Sequence, residues 1–192
     1  GECFKVSHGD LTLAFNPPSK KSELGVAKFG SDIVLVSKDH DDFNGIENAS
    51  FGDREPFVIQ GPGEYEVKGV AVRGFLGEHI NTIYTVSLEG MSLCFLGALS
   101  DKDLPSETKE AIDGIDILFV PIGNKDTIDY SAAEALAVQL EPKVVIPMHY
   151  SPDDLKKFLK EAGAEGTKPI EKLTVKKKDL EGKEEEIVVL AH

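Results

Sequence analysis

Ile33-Val34-Leu35-Val36-Ser37-Lys38-Asp39-His40-Asp41-Asp42-Phe43-Asn44 is the stretch on which the reading of this chain turns. Four consecutive apolar residues predict a buried strand, and the segment that follows is crowded with ionisable side chains of the types that ligate metals. In α/β proteins the chemistry gathers at strand ends of this kind, because a rigid strand delivers polar side chains to an exposed rim.

Working outward, the chain has 192 residues with 41% apolar content, enough for one well-buried core, and a single domain over 1–192 is expected. The net charge of −13 opposes nonspecific binding to phosphate backbones and anionic lipid, so neither nucleic acid nor membrane is expected as a partner. No segment approaches the roughly 20 apolar residues of a spanning helix, and no basic-then-apolar leader opens the sequence. Cys3 and Cys94 both sit among apolar neighbours, which predicts buried free thiols and a cytoplasmic location.

Towards the amino terminus, Cys3–Val6 and Leu11–Phe15 alternate around Ser7-His8-Gly9-Asp10, a hairpin pattern that makes His8 a turn residue. Asn16-Pro17-Pro18 ends the second strand. Beyond Asn44, strands are expected between Ile46 and Ile59, from the Gly61-Pro62-Gly63 turn through Phe75, and over 82–88 and 92–96. The alternation Glu64-Tyr65-Glu66 places both glutamates on one solvated face, and no helix follows the glycines to make a phosphate loop. Later, Pro105–Ile112, Tyr130–Leu140 and Asp153–Ala162 read as helices, Ser106 as a cap and Gly163 as a stop. Ile115–Pro121 and Val144–Ile146 read as buried strands. Leu173–Lys178 and Glu185–Leu190 read as a closing hairpin, with Lys176-Lys177-Lys178 facing Glu184-Glu185-Glu186 across it. The pattern predicts two packed sheets with helices outside.

Seven stretches resemble the metallo-β-lactamase superfamily, and most closely its small zinc-dependent hydrolases related to the ascorbate-phosphate lactonases. They are Asn16-Pro17, Ser37–Asn44, Gly61–Val67, Asn81–Tyr84, Phe95–Leu99, Val120–Gly123 and Glu141–Tyr150, in the family's order along the chain. The resemblance implies an α/β fold, a four-layer αββα sandwich with its site at one rim between the sheets. It also implies metal ligands at His40, Asp42 and His149, with Asp39 or Asp41 as proton acceptor. Where active members carry two further imidazoles this chain has Lys38 and Phe43, and where they carry the bridging carboxylate and the Asp of Asp-Pro it has Ala98 and Asn16. His79 lies in a shortened loop without a clear place at the site.

The expected function is therefore that of a metal-dependent hydrolase of small esters, lactones or phosphoesters with an eroded centre, holding at most one zinc weakly. The alternative is a non-catalytic binding or regulatory member. A metal-free enzyme built on Lys38 and Asp42 has only their adjacency behind it. Lys38 is expected to pair with Asp39 or Asp42, since a cation in a ligand position needs a counter-charge.

Overall fold

A computed structural model describes every residue except Ala27, Asn124 and His192. Phe4–His8 (β1), Leu11–Phe15 (β2), Ile33–Val36 (β3) and Phe57–Gln60 (β4) form the first sheet in the order β1-β2-β3-β4. β1 pairs antiparallel with β2, and β2-β3 and β3-β4 are parallel. The second sheet contains Gly63–Val67 (β5), Val70–Leu76 (β6), Thr82–Leu88 (β7), Met91–Phe95 (β8), Ile117–Pro121 (β9), Val144–Met148 (β10) and Glu186–Ile187 (β11). Its order is β11-β10-β9-β8-β7-β6-β5, antiparallel from β5 to β8 and parallel from β8 to β11.

Alternation explains the layers. Along β3, Ile33 and Leu35 join the cluster between the sheets, whereas Val34 and Val36 face outward into a smaller cluster with Phe29, Ile46 and Ala49. Phe15, Phe95 and Phe119 meet at the centre with ring centroids 4.8–6.0 Å apart, geometry that aromatic quadrupoles favour over face-to-face stacking. The helices Ser106–Ala111 (α1), Tyr130–Leu140 (α2) and Pro152–Glu161 (α3) lie on the second sheet. Leu136 and Ala137 of α2 and Phe158 and Leu159 of α3 pack there with Cys94, Leu118, Val120 and Val145. Outside the first sheet, Phe29, Ile46 and Ala49 supply the apolar cover, from the loop and the Ile46–Asn48 3₁₀ turn. No helix among the described residues is long and apolar enough to cross a membrane.

Local chemistry sets the helix ends. Asp129 caps α2 by accepting from the Ala132 N–H at 2.8 Å, and Ser151 with Asp154 closes a capping box on α3, satisfying amides that the first turn leaves open. Ser106 turns out to lie inside α1, with Pro105 at the cap position and no side-chain bond there. Gly163 follows α3 with φ 67.

Two expectations fail at the ends of the chain. His8 is the last residue of β1, 3.7 Å from Glu89, and the turn is Gly9-Asp10. Residues 173–178 form no strand: Leu173 and Val175 pack on the core while Lys177–Leu180 is a 3₁₀ turn. The last strand, β11, adds in parallel to the free edge of β10 rather than closing a hairpin. Lys177 accordingly faces Asp116, at 2.6 Å, and Lys183 pairs with Glu186.

Tyr84 of β7 ties the two sheets at the rim. Its buried hydroxyl donates to Val36 O at 2.8 Å and accepts from the Gly61 N–H at 3.0 Å, and burial pushes its pKa up to about 12. Tyr84→Phe leaves both backbone groups short of a partner. Equilibrium urea unfolding is expected to show a loss of about 1–3 kcal/mol; an unchanged midpoint would show that water replaces the hydroxyl.

Candidate functional site

The site begins where β2, β3, β8 and β10 end. β3 gives way to Ser37, which is buried, and its carbonyl accepts from Thr82 N–H at 2.7 Å, fixing the start of β7. Asn16, after β2, adopts φ 43 and clasps Ser37 from two sides. Its Oδ1 accepts from the Ser37 N–H at 2.8 Å, while its Nδ2 donates to Ser37 Oγ at 2.8 Å and to Glu2 Oε2 at 2.9 Å. Asn81 does the same work at the end of β8, donating to Leu96 O at 2.9 Å and accepting from the Ala98 N–H at 3.0 Å. The two asparagine amides thus satisfy polar groups at neighbouring strand ends, as burial demands.

His149 follows β10 with φ 53, an uncommon conformation for a residue with a side chain. Its N–H donates to Gly1 O at 3.1 Å, and Gly123 gives it room: a Cβ there would lie 2.0 Å from His149 O. The Nδ1 atom approaches the buried Glu2 carboxylate, 2.9 Å from Oε1.

The expected site residues come to one rim but do not converge. Phe43, buried where the resemblance implies a ligand, puts its ring 5.5 Å from that of His40 and 6.5 Å from that of His149. The shared rim expected for His40 and His149 is therefore present, with an aromatic ring in contact with both. His40 folds back on its own loop, its Nδ1 accepting from the Asp42 N–H at 3.2 Å and standing 3.6 Å from Asp42 Oδ2. Asp42 Oδ1 accepts from Ser22 Oγ at 2.6 Å. Asp39 is exposed and accepts from Asn44 Nδ2 at 2.6 Å, and Asp41 is exposed.

Among the described residues no three His, Cys, Asp or Glu side chains group as a metal set. Catalytic zinc takes three protein ligands, and a dinuclear centre adds a shared anion. This donor set, with Lys38, Phe43 and Ala98 in the intervening positions, does not fit such a cluster.

The pairing expected for Lys38 is absent. Among the described residues no carboxylate lies within ion-pair distance of it, because Asp39 and Asp42 are turned to Asn44, Ser22 and His40. His79 is exposed on the Glu78–Ile80 turn, 4.0 Å from Glu78. Glu2 went unread in the sequence; its only signal was a carboxylate placed directly before an apolar strand. Beside it opens a cleft of about 650 Å³ lined by Phe4, Pro18, Leu24, Asp42, Pro147 and Tyr150.

Comparison with known proteins places the fold. A family described as "Beta-lactamase superfamily domain" matches residues 1–149. A UPF0173 protein of Pyrococcus furiosus is 29% identical over 185 residues, covering 82% of this chain and 86% of its own. A UPF0173 metal-dependent hydrolase of Natranaerobius thermophilus is 26% identical, covering 78% and 80%. The crystal structure of an inferred Zn-dependent hydrolase of the metallo-beta-lactamase superfamily from Thermotoga maritima superposes with a TM-score of 0.78 at 27% identity, over 98% of this chain and 94% of that one. With two sheets sandwiched around an aromatic core, a polar rim at the strand ends and a family match over 149 residues, this chain belongs to the metallo-β-lactamase superfamily.

Proposed function

We propose that this protein keeps the hydrolase scaffold of its superfamily but uses the rim as a binding or regulatory site, with little dinuclear hydrolase activity. The observation that carries this reading is Phe43: a buried, ligand-free ring touches the imidazoles of both His40 and His149 where a metal would need open donors. Ala98 adds to it, because two cations without a shared anion repel across a short gap. The 650 Å³ cleft beside Glu2 offers room for a small ligand, and a net charge of −13 weighs against a nucleic-acid one.

A second reading is favoured by the relatives described as metal-dependent hydrolases. It has one weakly held zinc on His40, Asp42 and His149, with Asp39 or Asp41 taking a proton during cleavage of a small ester, lactone or phosphoester. Metal analysis of protein purified without affinity nickel separates the two. The binding reading expects well under one metal per chain and no chelator-sensitive turnover. Two tightly held metals, with phosphodiester or lactone turnover abolished by chelator, would return the chain to the enzymes; a single metal lost in His149→Ala would support the mononuclear site.

Restoring the ligand types is the converse test. Lys38→His, Phe43→His and Ala98→Asp together are expected to raise metal content toward two per chain, since each half-site regains its missing donor. An unchanged metal content would mean that the rim geometry, rather than the donor set, excludes the metal.

A further inference from the structure

Glu2 is the least expected group in the molecule: a carboxylate with 1% of its surface exposed, although nothing obliges a residue ahead of the first strand to be buried. Its Oε2 accepts from Asn16 Nδ2, but Oε1 has no well-aligned hydrogen bond among the described residues. His149 Nδ1 stands 2.9 Å from it, within ion-pair distance but outside the angle of a hydrogen bond as the ring is placed. An unsatisfied buried carboxylate oxygen is costly, so Oε1 makes a strong claim on a proton at Nδ1. The other ring nitrogen, Nε2, has no protein partner among the described residues, and His149 keeps 27% of its side chain exposed. Two residues held at positive φ bracket this contact, Asn16 at 43° and His149 at 53°. Strain of this sort persists only where surrounding structure holds it, and here it serves to face the two side chains toward Glu2.

We propose that Glu2 is a positioning residue for His149: its buried carboxylate holds the proton on Nδ1 and so presents the Nε2 lone pair at the rim as an acceptor for whatever occupies the site. Carboxylates commonly orient functional imidazoles in this way, by fixing which nitrogen carries the proton. The assignment holds whether the occupant is a small molecule bearing an N–H or O–H donor or a cation, so it does not depend on the binding reading above.

The hydrogen-bond pattern makes the test sharp. Ser37 N–H donates to Asn16 Oδ1, which fixes the Asn16 amide with its Nδ2 toward residue 2. In Glu2→Gln the new carbonyl must therefore face Asn16, and its NH₂ must face His149. A donor at that position takes the Nδ1 lone pair and sends the proton to Nε2. The tautomer should invert.

The measurement is ¹⁵N NMR of ring-labelled histidine in the full chain, without added metal or ligand, at an alkaline pH where the spectrum itself shows the ring to be neutral. His149→Ala identifies the resonances. Wild type is expected to show a protonated Nδ1 and a bare Nε2, and Glu2→Gln the reverse, with the backbone amide spectrum confirming that the variant is folded. An Nε2-protonated ring in wild type overturns the assignment on its own, even if the variant fails to fold, and so does a folded Glu2→Gln with an unchanged tautomer. Neither result bears on metal content, so failure here is distinguishable from failure of the binding reading.

Discussion

Gly97→Ala is expected to lower stability by about 2–5 kcal/mol, combining a left-handed backbone penalty of about 1–2 with overpacking of about 1–3. Gly97 follows β8 with φ 58, and a Cβ built there would lie 2.5 Å from Asn81 Oδ1 and 2.6 Å from Ser37 Cβ. Neither neighbour has freedom to retreat. Asn81 holds Leu96 O and the Ala98 N–H, and Ser37 is clasped by Asn16, so a methyl group at 97 disturbs both polar networks at once. Gly90→Ala is the control, because Gly90 has φ 75 but nothing within 4 Å of its Cβ position. It should carry only the backbone part, about 1–2 kcal/mol. Urea unfolding of the two variants separates the contributions; equal losses would mean that the rim yields to the methyl group and that the tightness at residue 97 carries no energy.

Asp116→Asn is expected to cost about 2–4 kcal/mol near neutral pH, for a reason that lies far from the rim. Asp116 is fully buried just ahead of β9, where its carboxylate accepts from Lys143 Nζ at 2.8 Å, Lys177 Nζ at 2.6 Å and the Ser92 N–H at 2.8 Å. An asparagine amide must turn its NH₂ toward one of these donors. The cost stays below that of stranding a buried charge, since both lysines are partly exposed and can rehydrate. Burial by itself would raise the carboxyl pKa, but the bonds from Lys143 and Lys177 outweigh it and hold the group below its ordinary value. A depressed native value gives stability that is present above the unfolded carboxyl pKa, about 3.9, and is lost as the pH falls through the native value. The gap in urea midpoint between wild type and Asp116→Asn should therefore be widest near pH 7 and narrow on acidification below about 4. A gap independent of pH would assign the loss to shape instead of charge.

How much of this was legible in the sequence depended on whether the deciding interaction was local. The runs Ile33–Val36 and Val144–Ile146 announced themselves as buried strands, the second continuing to Met148 in the structure, because a strand covered on both faces must be apolar throughout. α2 was read to the residue and α3 to within one at each end, since caps and helix-favouring composition act within a turn or two of the chain. Residue types at the rim were equally visible: Lys38, Phe43 and Ala98 can be read as donors missing from a family pattern before any coordinates exist.

What these residues do was not visible. Alternation over 173–178 resembles a strand, yet Leu173 and Val175 satisfy it by packing alone, while the open edge of β10 recruits residues 186–187 instead. Lys177 could not be assigned to Asp116, 61 positions away, nor could the aspartates of 39–42 be seen turning to Asn44, Ser22 and His40 and leaving Lys38 without them. Sequence alone thus determined the buried strands and the helices, because burial patterns and caps are written locally, and through its resemblance to a known family it pointed to the superfamily fold. Only the tertiary structure decided that Glu2, Asn16, Ser37 and His149 share one network. Their contacts exist only once four strand ends meet, and a buried polar atom accepts whichever partner the folded geometry brings within reach.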